Sequence, residues 1–184
     1  MAAGNLAAGQ LLIASPKLED SSFARSLVLL LDVDDTGCLG VVLNRPTEVS
    51  LDGVLDPWSS LACEPAVLFQ GGPVEPEGAL GVGVLAEGAP APRGWRPVFD
   101  RAGVIDLEDP EVGSFAGVRI YAGYAGWGGG QLEAEVAEGA WYVVPAAPGD
   151  VCATDPEVLW RQVLRRQPEP LSLLLTMPLD PTVN

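Results

Sequence analysis

Glycine and proline interrupt this chain at short intervals along its whole length. There are 22 glycines and 17 prolines among 184 residues, and they are not gathered in one tract. Proline breaks helix interiors and central strands, and glycine weakens both. The pattern therefore predicts many short elements joined by turns. A hydrophobic content of 48% is enough for a substantial core, so we expect a single domain over 1–184.

The charge balance and the absence of histidine narrow the possible functions. Ten Lys and Arg residues stand against 25 Asp and Glu residues, which gives a formal net charge of −15. Direct nucleic-acid binding is therefore disfavoured, because it depends on neutralising phosphates with basic groups. Without histidine there is no Ser-His-Asp or Cys-His catalysis and no histidine-based zinc site.

Cysteine usage and hydropathy bear on the cellular compartment. Cys38, Cys63 and Cys152 are widely spaced and form no CxxC pair, so neither a zinc site nor a dithiol redox site is indicated. We expect all three to be small apolar residues in a reducing cytosol. No apolar stretch reaches the roughly 18 to 20 residues that span a bilayer, and the N-terminus lacks the features of a signal peptide. The sequence therefore predicts a cytoplasmic protein without a membrane partner.

Apolar runs and turn residues predict the order of elements. Glycines at positions 81 and 83 interrupt one strand and favour a strongly curved sheet. Helices are predicted over 51–55, 131–138 and 156–166. Strands are predicted over 9–16, 26–31, 38–43, 67–70, 79–85, 98–100, 103–106, 118–124, 140–144 and 171–175, with a hairpin turn at 32–37.

The run Gly123-Tyr-Ala-Gly-Trp-Gly-Gly-Gly-Gln-Leu-Glu-Ala-Glu135 combines five glycines with two aromatic residues. In a binding loop, the rings would offer flat apolar surfaces and the glycine N–H groups would point at a carboxylate or phosphate from a helix start. The same residues would serve equally well in tight packing. No nucleotide cofactor is predicted, because the P-loop lysine and the complete dinucleotide glycine pattern are absent. The candidate ligand-binding residues of the run are Tyr124, Trp127, Gly128, Gly129, Gly130 and Gln131.

Two turns provide further candidate binding residues. Asn44 and Arg45, before Pro46, could hold an anion by paired hydrogen bonds. Alternatively, Asn44 satisfies turn backbone and Arg45 pairs with an acidic residue. Gly71 and Gly72 could form an anion-binding nest of N–H groups or a tight turn.

Five segments in order resemble the YqgE/AlgH family over about residues 6–165. The resemblance implies a bacterial cytosolic protein with one α+β domain, in which a strongly bent, mainly antiparallel sheet forms a barrel-like core with flanking helices. The family's label of transcriptional regulator rests on a genetic phenotype. Family members often carry histidines that this chain lacks, near Asp32 and after Gly83, so no role of those histidines applies. The segments are Gly9–Pro16, Phe23–Ser26, Gly40–Pro46, Phe69–Val74 and Gly123–Glu133.

Three functions remain open at this point. The favoured one is a noncatalytic module that binds a small molecule or a protein partner, because it requires neither histidine nor a resident metal. The second is a hydrolase or transferase with a base such as Asp34 or Glu133, or with Mg²⁺ held by Asp32, Asp34 and Asp35. The third is a regulator that binds DNA directly. No oligomeric state is predicted.

Overall fold

A computed structural model describes residues 5–109 and 112–176. Ten strands form one sheet that curves through 234° as a half-barrel, with a few helices packed against it. The strands are β1 Gln10–Ala14, β2 Leu27–Asp34, β3 Gly37–Val42, β4 Pro46–Ser50, β5 Val67–Gln70, β6 Val74–Leu85, β7 Arg96–Phe99, β8 Ala102–Ile105, β9 Phe115–Gly128 and β10 Trp141–Pro145. The helices are α1 Gln131–Ala137 and α2 Pro156–Arg165, and 3-10 helices cover Trp58–Leu61, Val112–Ser114 and Leu171–Thr176.

The sheet has the strand order β10-β1-β2-β3-β9-β6-β8-β7, while β4 and β5 form a branch from it. The pairings are antiparallel except that β5 runs parallel to β9. This architecture confirms the predicted α+β class with a strongly bent, mainly antiparallel sheet.

Both faces of the central strands are buried, because side chains alternate across a sheet. In β1, Leu11 and Ile13 join one hydrophobic cluster, the first core, on which α2 also packs. Leu12 and Ala14 join a second core, which contains Leu132 of α1. One helix therefore contributes to each core.

Several predicted elements differ from the structure. Residues 51–55 form turns rather than a helix, because five residues before Asp56-Pro57 are too few to sustain one. The five residues before this segment, Pro46–Ser50, form strand β4, which was not predicted. Residues 171–175 lie in a 3-10 helix that packs beside α2, not in a strand. The prediction that the N-terminus lacks signal-peptide features rests partly on residues 1–4, which lie outside the described ranges.

Two cysteines are joined, contrary to the expectation of three free thiols. Cys63 and Cys152 form a disulfide with their Cα atoms 5.4 Å apart, and Cys38 is free and buried. The bridged residues are separated by 89 positions, so local spacing gave no signal of the pairing. Within 5–109 and 112–176, no helix has the length and apolar character needed to cross a bilayer.

Candidate functional site

The glycine run is part of a strand rather than a loop. Its residues up to Gly128 belong to β9, and Gly37 to Gly40 of β3 pair with Gly128 to Ala125. Trp127 is only 6% exposed and lies in the second core. Its ring faces are therefore covered by protein instead of being presented to a ligand.

A carboxylate from α1 holds the two buried indoles of the second core. Glu135 Oε2 accepts hydrogen bonds from Nε1 of Trp127 at 3.0 Å and from Nε1 of Trp141 at 2.8 Å. Its other oxygen accepts from Gln131 Nε2 at 3.0 Å, and Gln131 Oε1 accepts from the Gly128 N–H at 3.1 Å. Gln131 and Gly128 thus belong to an internal network that links the end of β9 to α1.

Phe23 completes the aromatic group above this network. Its ring centroid lies 6.1 Å from that of Trp127 and 5.6 Å from that of Trp141, and the two indoles are 5.9 Å apart. Phe23 stacks on Trp127, and the other two pairs meet edge to face. Such contacts stabilise packing beyond simple burial.

Asn44 and Arg45 fix the loop that carries Phe23. Asn44 Oδ1 accepts from the Leu27 N–H and its Nδ2 donates to the Arg25 carbonyl, both at 2.9 Å. Arg45 donates to carbonyls of the loop at Ser21, Ser22 and Ala24, and burial lowers the pKa of its guanidinium. The structure thus shows Asn44 satisfying backbone, as one alternative predicted, and Arg45 bound to carbonyls.

Gly71 and Gly72 lie against the first part of the glycine run. A Cβ on Gly71 would fall 2.3 Å from the Gly123 carbonyl oxygen, and one on Gly72 would fall 2.2 Å from that of Tyr124. The recess shared by Arg45 and Gly72 has a volume of about 20 Å³, which is room for about one water molecule. The structure brings these two glycines next to Tyr124, but it leaves Trp127 in the second core and Gln131 exposed at the start of α1.

A much larger groove, of about 510 Å³, is lined in part by Tyr124. It forms where β6 leaves β9, because the pairing skips from Val74↔Tyr124 to Ala79↔Ala122 and the four residues between them bulge out. Glu75 in the bulge and Gly123 opposite it have positive φ angles of 46° and 69°.

The groove has an apolar floor and an acidic rim. Tyr124 alone of the predicted binding residues lines it, and no arginine or lysine does. The floor contains the half-buried side chains of Leu39, Leu80, Val104 and Tyr124, and the rim carries the exposed carboxylates of Glu75, Asp106 and Glu108. This arrangement suits an apolar group that carries positive charge. Sequence reasoning missed it because the lining comes from β3, β6, β8 and β9.

Arg119 of β9 is a second feature that the sequence analysis missed. It is 2% exposed, and its guanidinium carbon lies 4.2 Å from the Phe69 ring centroid. Burial lowers its pKa. The only local signal is an arginine within an otherwise apolar strand. All five of its N–H donors are used on backbone carbonyls, those of Val151, Cys63, Pro65, Glu64 and Ala153, at 2.9 to 3.2 Å.

Two of the three aspartates proposed for Mg²⁺, Asp34 and Asp32, have other partners. Asp34 Oδ1 accepts from the Thr36 hydroxyl at 2.5 Å and the Thr36 N–H at 2.7 Å, and these bonds lower the pKa of Asp34 below its ordinary 3.8. Asp32 pairs with Arg96 at 3.4 Å. Across the part of the chain that the structure describes, no three acidic or cysteine side chains are grouped to hold a metal ion.

The chain is similar in sequence to a known family and to several of its members. An AlgH-like family model matches residues 11–172. A UPF0301 protein of Streptomyces avermitilis is 54% identical over 182 residues, covering 96% of this chain and 94% of its own length. A UPF0301 protein of Mycobacterium tuberculosis is 47% identical over 188 residues, covering 100% of this chain and 93% of its own.

Two solved structures share the fold. A Corynebacterium diphtheriae protein of known crystal structure has a TM-score of 0.88 at 36% identity, covering 96% of this chain and 95% of that one. The solution structure of the AlgH protein from Pseudomonas aeruginosa has a TM-score of 0.66 at 28% identity, with coverage of 92% and 93%. By family model, sequence identity and fold together, the chain belongs to the AlgH-like family.

Proposed function

We propose that this chain is a noncatalytic binding module whose groove between β6, β8 and β9 receives a segment of a partner protein. The observation that carries the proposal is the groove itself. Its volume of about 510 Å³ lies in the range of about 300 to 1,000 Å³ that is usual for binding pockets. Four half-buried apolar side chains, Leu39, Leu80, Val104 and Tyr124, provide contact area in its floor.

Charge complementarity defines the partner segment. The groove is lined by three exposed acidic residues, Glu75, Asp106 and Glu108, and by no arginine or lysine. The net charge of −15 adds a long-range attraction for positive partners. The partner segment therefore presents an apolar side chain flanked by lysine or arginine. Any regulatory effect of the chain is then indirect, through this partner.

The test places a photo-crosslinking amino acid at Leu80 in the groove floor. The matched control carries it at Val54, an apolar residue that is 61% exposed on a surface turn. In living cells that normally make the protein, we expect Leu80 to capture a segment with apolar and basic residues and Val54 to capture none. Mass spectrometry of the adduct identifies the captured residues.

A charge reversal separates specific docking from adhesion to an apolar surface. Asp106→Lys with Glu108→Lys reverses the charge at two of the three rim positions. Glu133→Lys with Glu138→Lys makes the same charge change on exposed positions of α1 and its end. The groove pair should abolish the Leu80 adduct, whereas the α1 pair should leave it. Equal capture in both variants, or a small-molecule adduct in place of a peptide, would refute this assignment of the partner.

A further inference from the structure

The Cys63–Cys152 disulfide connects two loops that meet beside β9. Cys63 lies just before β5, and Cys152 lies in the loop between β10 and α2. Both residues are partly exposed, in contrast to Cys38, which is buried. The bridge is therefore at the margin of the core, where a reagent can approach it.

Arg119 holds the same two loops independently of the disulfide. Three of its five carbonyl partners are Cys63, Glu64 and Pro65 in one loop. The other two, Val151 and Ala153, flank Cys152 in the second loop. With these bonds in place, breaking the sulfur bridge does not release the loops from β9. Both cysteines stay close enough to join again.

The surroundings also suit the two sulfur atoms after cleavage. A Cβ at Gly117 would lie 2.6 Å from Cys63 Sγ and 3.2 Å from Cys152 Sγ, so the glycine provides the space that the sulfurs occupy. The guanidinium of Arg119 donates to the carbonyl of Cys63 itself. This contact places a positive charge in the loop of the sulfur that leaves as an anion.

One of the two cysteines borders an open cavity. Cys152 lines a cavity of about 380 Å³, and Cys63 is not among its lining residues. The cavity is polar, with Asp150 paired to Arg166 through both carboxylate oxygens. Asp155 and Gln162 add further polar groups to the wall. Its size admits a small peptide-like thiol.

We propose that Cys63–Cys152 is a thiol–disulfide exchange site that takes a low-molecular-weight thiol through the cavity at Cys152. The incoming thiolate attacks Cys152 Sγ, the Cys63–Cys152 bond breaks, and Cys63 leaves with the electron pair as a thiolate. A second thiolate attacks the external sulfur of the mixed disulfide and releases Cys152. In balance, two external thiols are oxidised to one disulfide and the protein disulfide is reduced to a dithiol. A small disulfide reverses the reaction.

The test treats the oxidised full-length chain with reduced glutathione in native buffer and quenches the reaction with N-ethylmaleimide. Peptide mass spectrometry follows each cysteine. We expect Cys63 and Cys152 to become labelled together while Cys38 stays unlabelled and the circular dichroism spectrum stays unchanged. Adding oxidised glutathione should restore the bridge. Labelling of Cys38 at the same rate would show that reduction requires unfolding and would overturn the proposal.

Two variants of α2 test the route of attack. Gln162→Trp fills the cavity, and Arg161→Trp adds the same side chain at an exposed neighbouring position that does not line it. Gln162→Trp should slow reduction by roughly tenfold, because exchange depends on access to the attacked sulfur, while Arg161→Trp should not. In Cys63→Ser, Cys152 is a free thiol, so oxidised glutathione should form a mixed disulfide with it and release one reduced glutathione. That adduct should persist, because Cys63 is no longer present to displace the glutathione. Unchanged reduction of Gln162→Trp would exclude attack through the cavity.

Discussion

The indole N–H of Trp127 donates a 3.0 Å hydrogen bond to the carboxylate of Glu135, eight residues later in the chain. The same carboxylate oxygen accepts from Trp141 at the start of β10. Glu135 thus connects the end of β9, helix α1 and β10 through one acceptor. The most distinctive segment of the sequence, the glycine run with its tryptophan and glutamates, is organised around this internal contact.

Glu135→Leu should destabilise the protein by about 2 to 4 kcal/mol. Two indole donors in the second core lose their acceptor, and an unsatisfied buried donor costs about 1 to 3 kcal/mol. Urea unfolding followed by tryptophan fluorescence measures the change. Glu133→Leu, at an exposed position in the first turn of α1, is the matched control and should cost under about 1 kcal/mol. Similar losses in both variants would mean that the indole contacts contribute little.

Asn44→Ala should loosen the loop that carries Phe23. The Leu27 N–H, on a fully buried residue, loses its acceptor, and the Arg25 carbonyl loses its donor. We expect a loss of about 1 to 3 kcal/mol and a weaker near-ultraviolet circular dichroism signal, because Phe23 packs on both indoles. Asn5→Ala, at an exposed position, should change neither quantity. An unchanged aromatic signal in Asn44→Ala would contradict the proposed link from Asn44 to Phe23.

The sequence predicted features that depend on local pattern and missed those that depend on distant partners. The strands that became β1 to β3, and helices α1 and α2, follow from apolar periodicity and turn residues. The burial of Trp127 does not, because it results from pairing between β9 and β3. The carbonyl partners of Arg119 and the bridge from Cys63 to Cys152 likewise join segments far apart in the chain. The groove beside Tyr124 arises from a bulge in β6, which has no reliable sequence signature.

Gly72→Ala should prevent normal folding. The added methyl group would lie 2.2 Å from backbone atoms of Tyr124, and neither backbone can move without breaking the sheet. Gly53→Ala is the control, because it also sits at positive φ, 69°, but its Cβ would meet nothing within 4 Å. Gly53→Ala should remain folded with a loss of about 1 kcal/mol from backbone strain alone. Soluble yield and thermal unfolding distinguish the two, and a normally stable Gly72→Ala would refute the close approach of the two strands.

Thr36→Ala should raise the pKa of Asp34 toward its ordinary value of 3.8. The Thr36 hydroxyl is the main cause of the lowered pKa, and hydrogen bonds to the ionised carboxylate favour the charged form. Because folding lowers the pKa of Asp34, its ionised carboxylate stabilises the folded protein at pH values above the pKa of the unfolded state. This contribution is lost as the pH falls through the pKa of the folded state. NMR titration of the Asp34 carboxyl carbon tests the shift. If the pKa of Asp34 stays unchanged in Thr36→Ala, the Thr36 hydroxyl is not the cause of the lowered pKa.

Arg119→Lys should destabilise the protein although it conserves the charge. An ammonium has three donors where the guanidinium uses five, so at least two of the five carbonyls lose their partner, at a cost of about 2 to 4 kcal/mol. Arg96→Lys is the control, because Arg96 and Asp32 form an ion pair with side chains 55% and 56% exposed, and such pairs contribute under about 1 kcal/mol. Hydrogen exchange gives a local readout, since the Cys63 N–H bonds to the Val118 carbonyl. That amide should exchange faster in Arg119→Lys, and full protection there would show that the Cys63 loop stays on β9 without the bonds of the guanidinium.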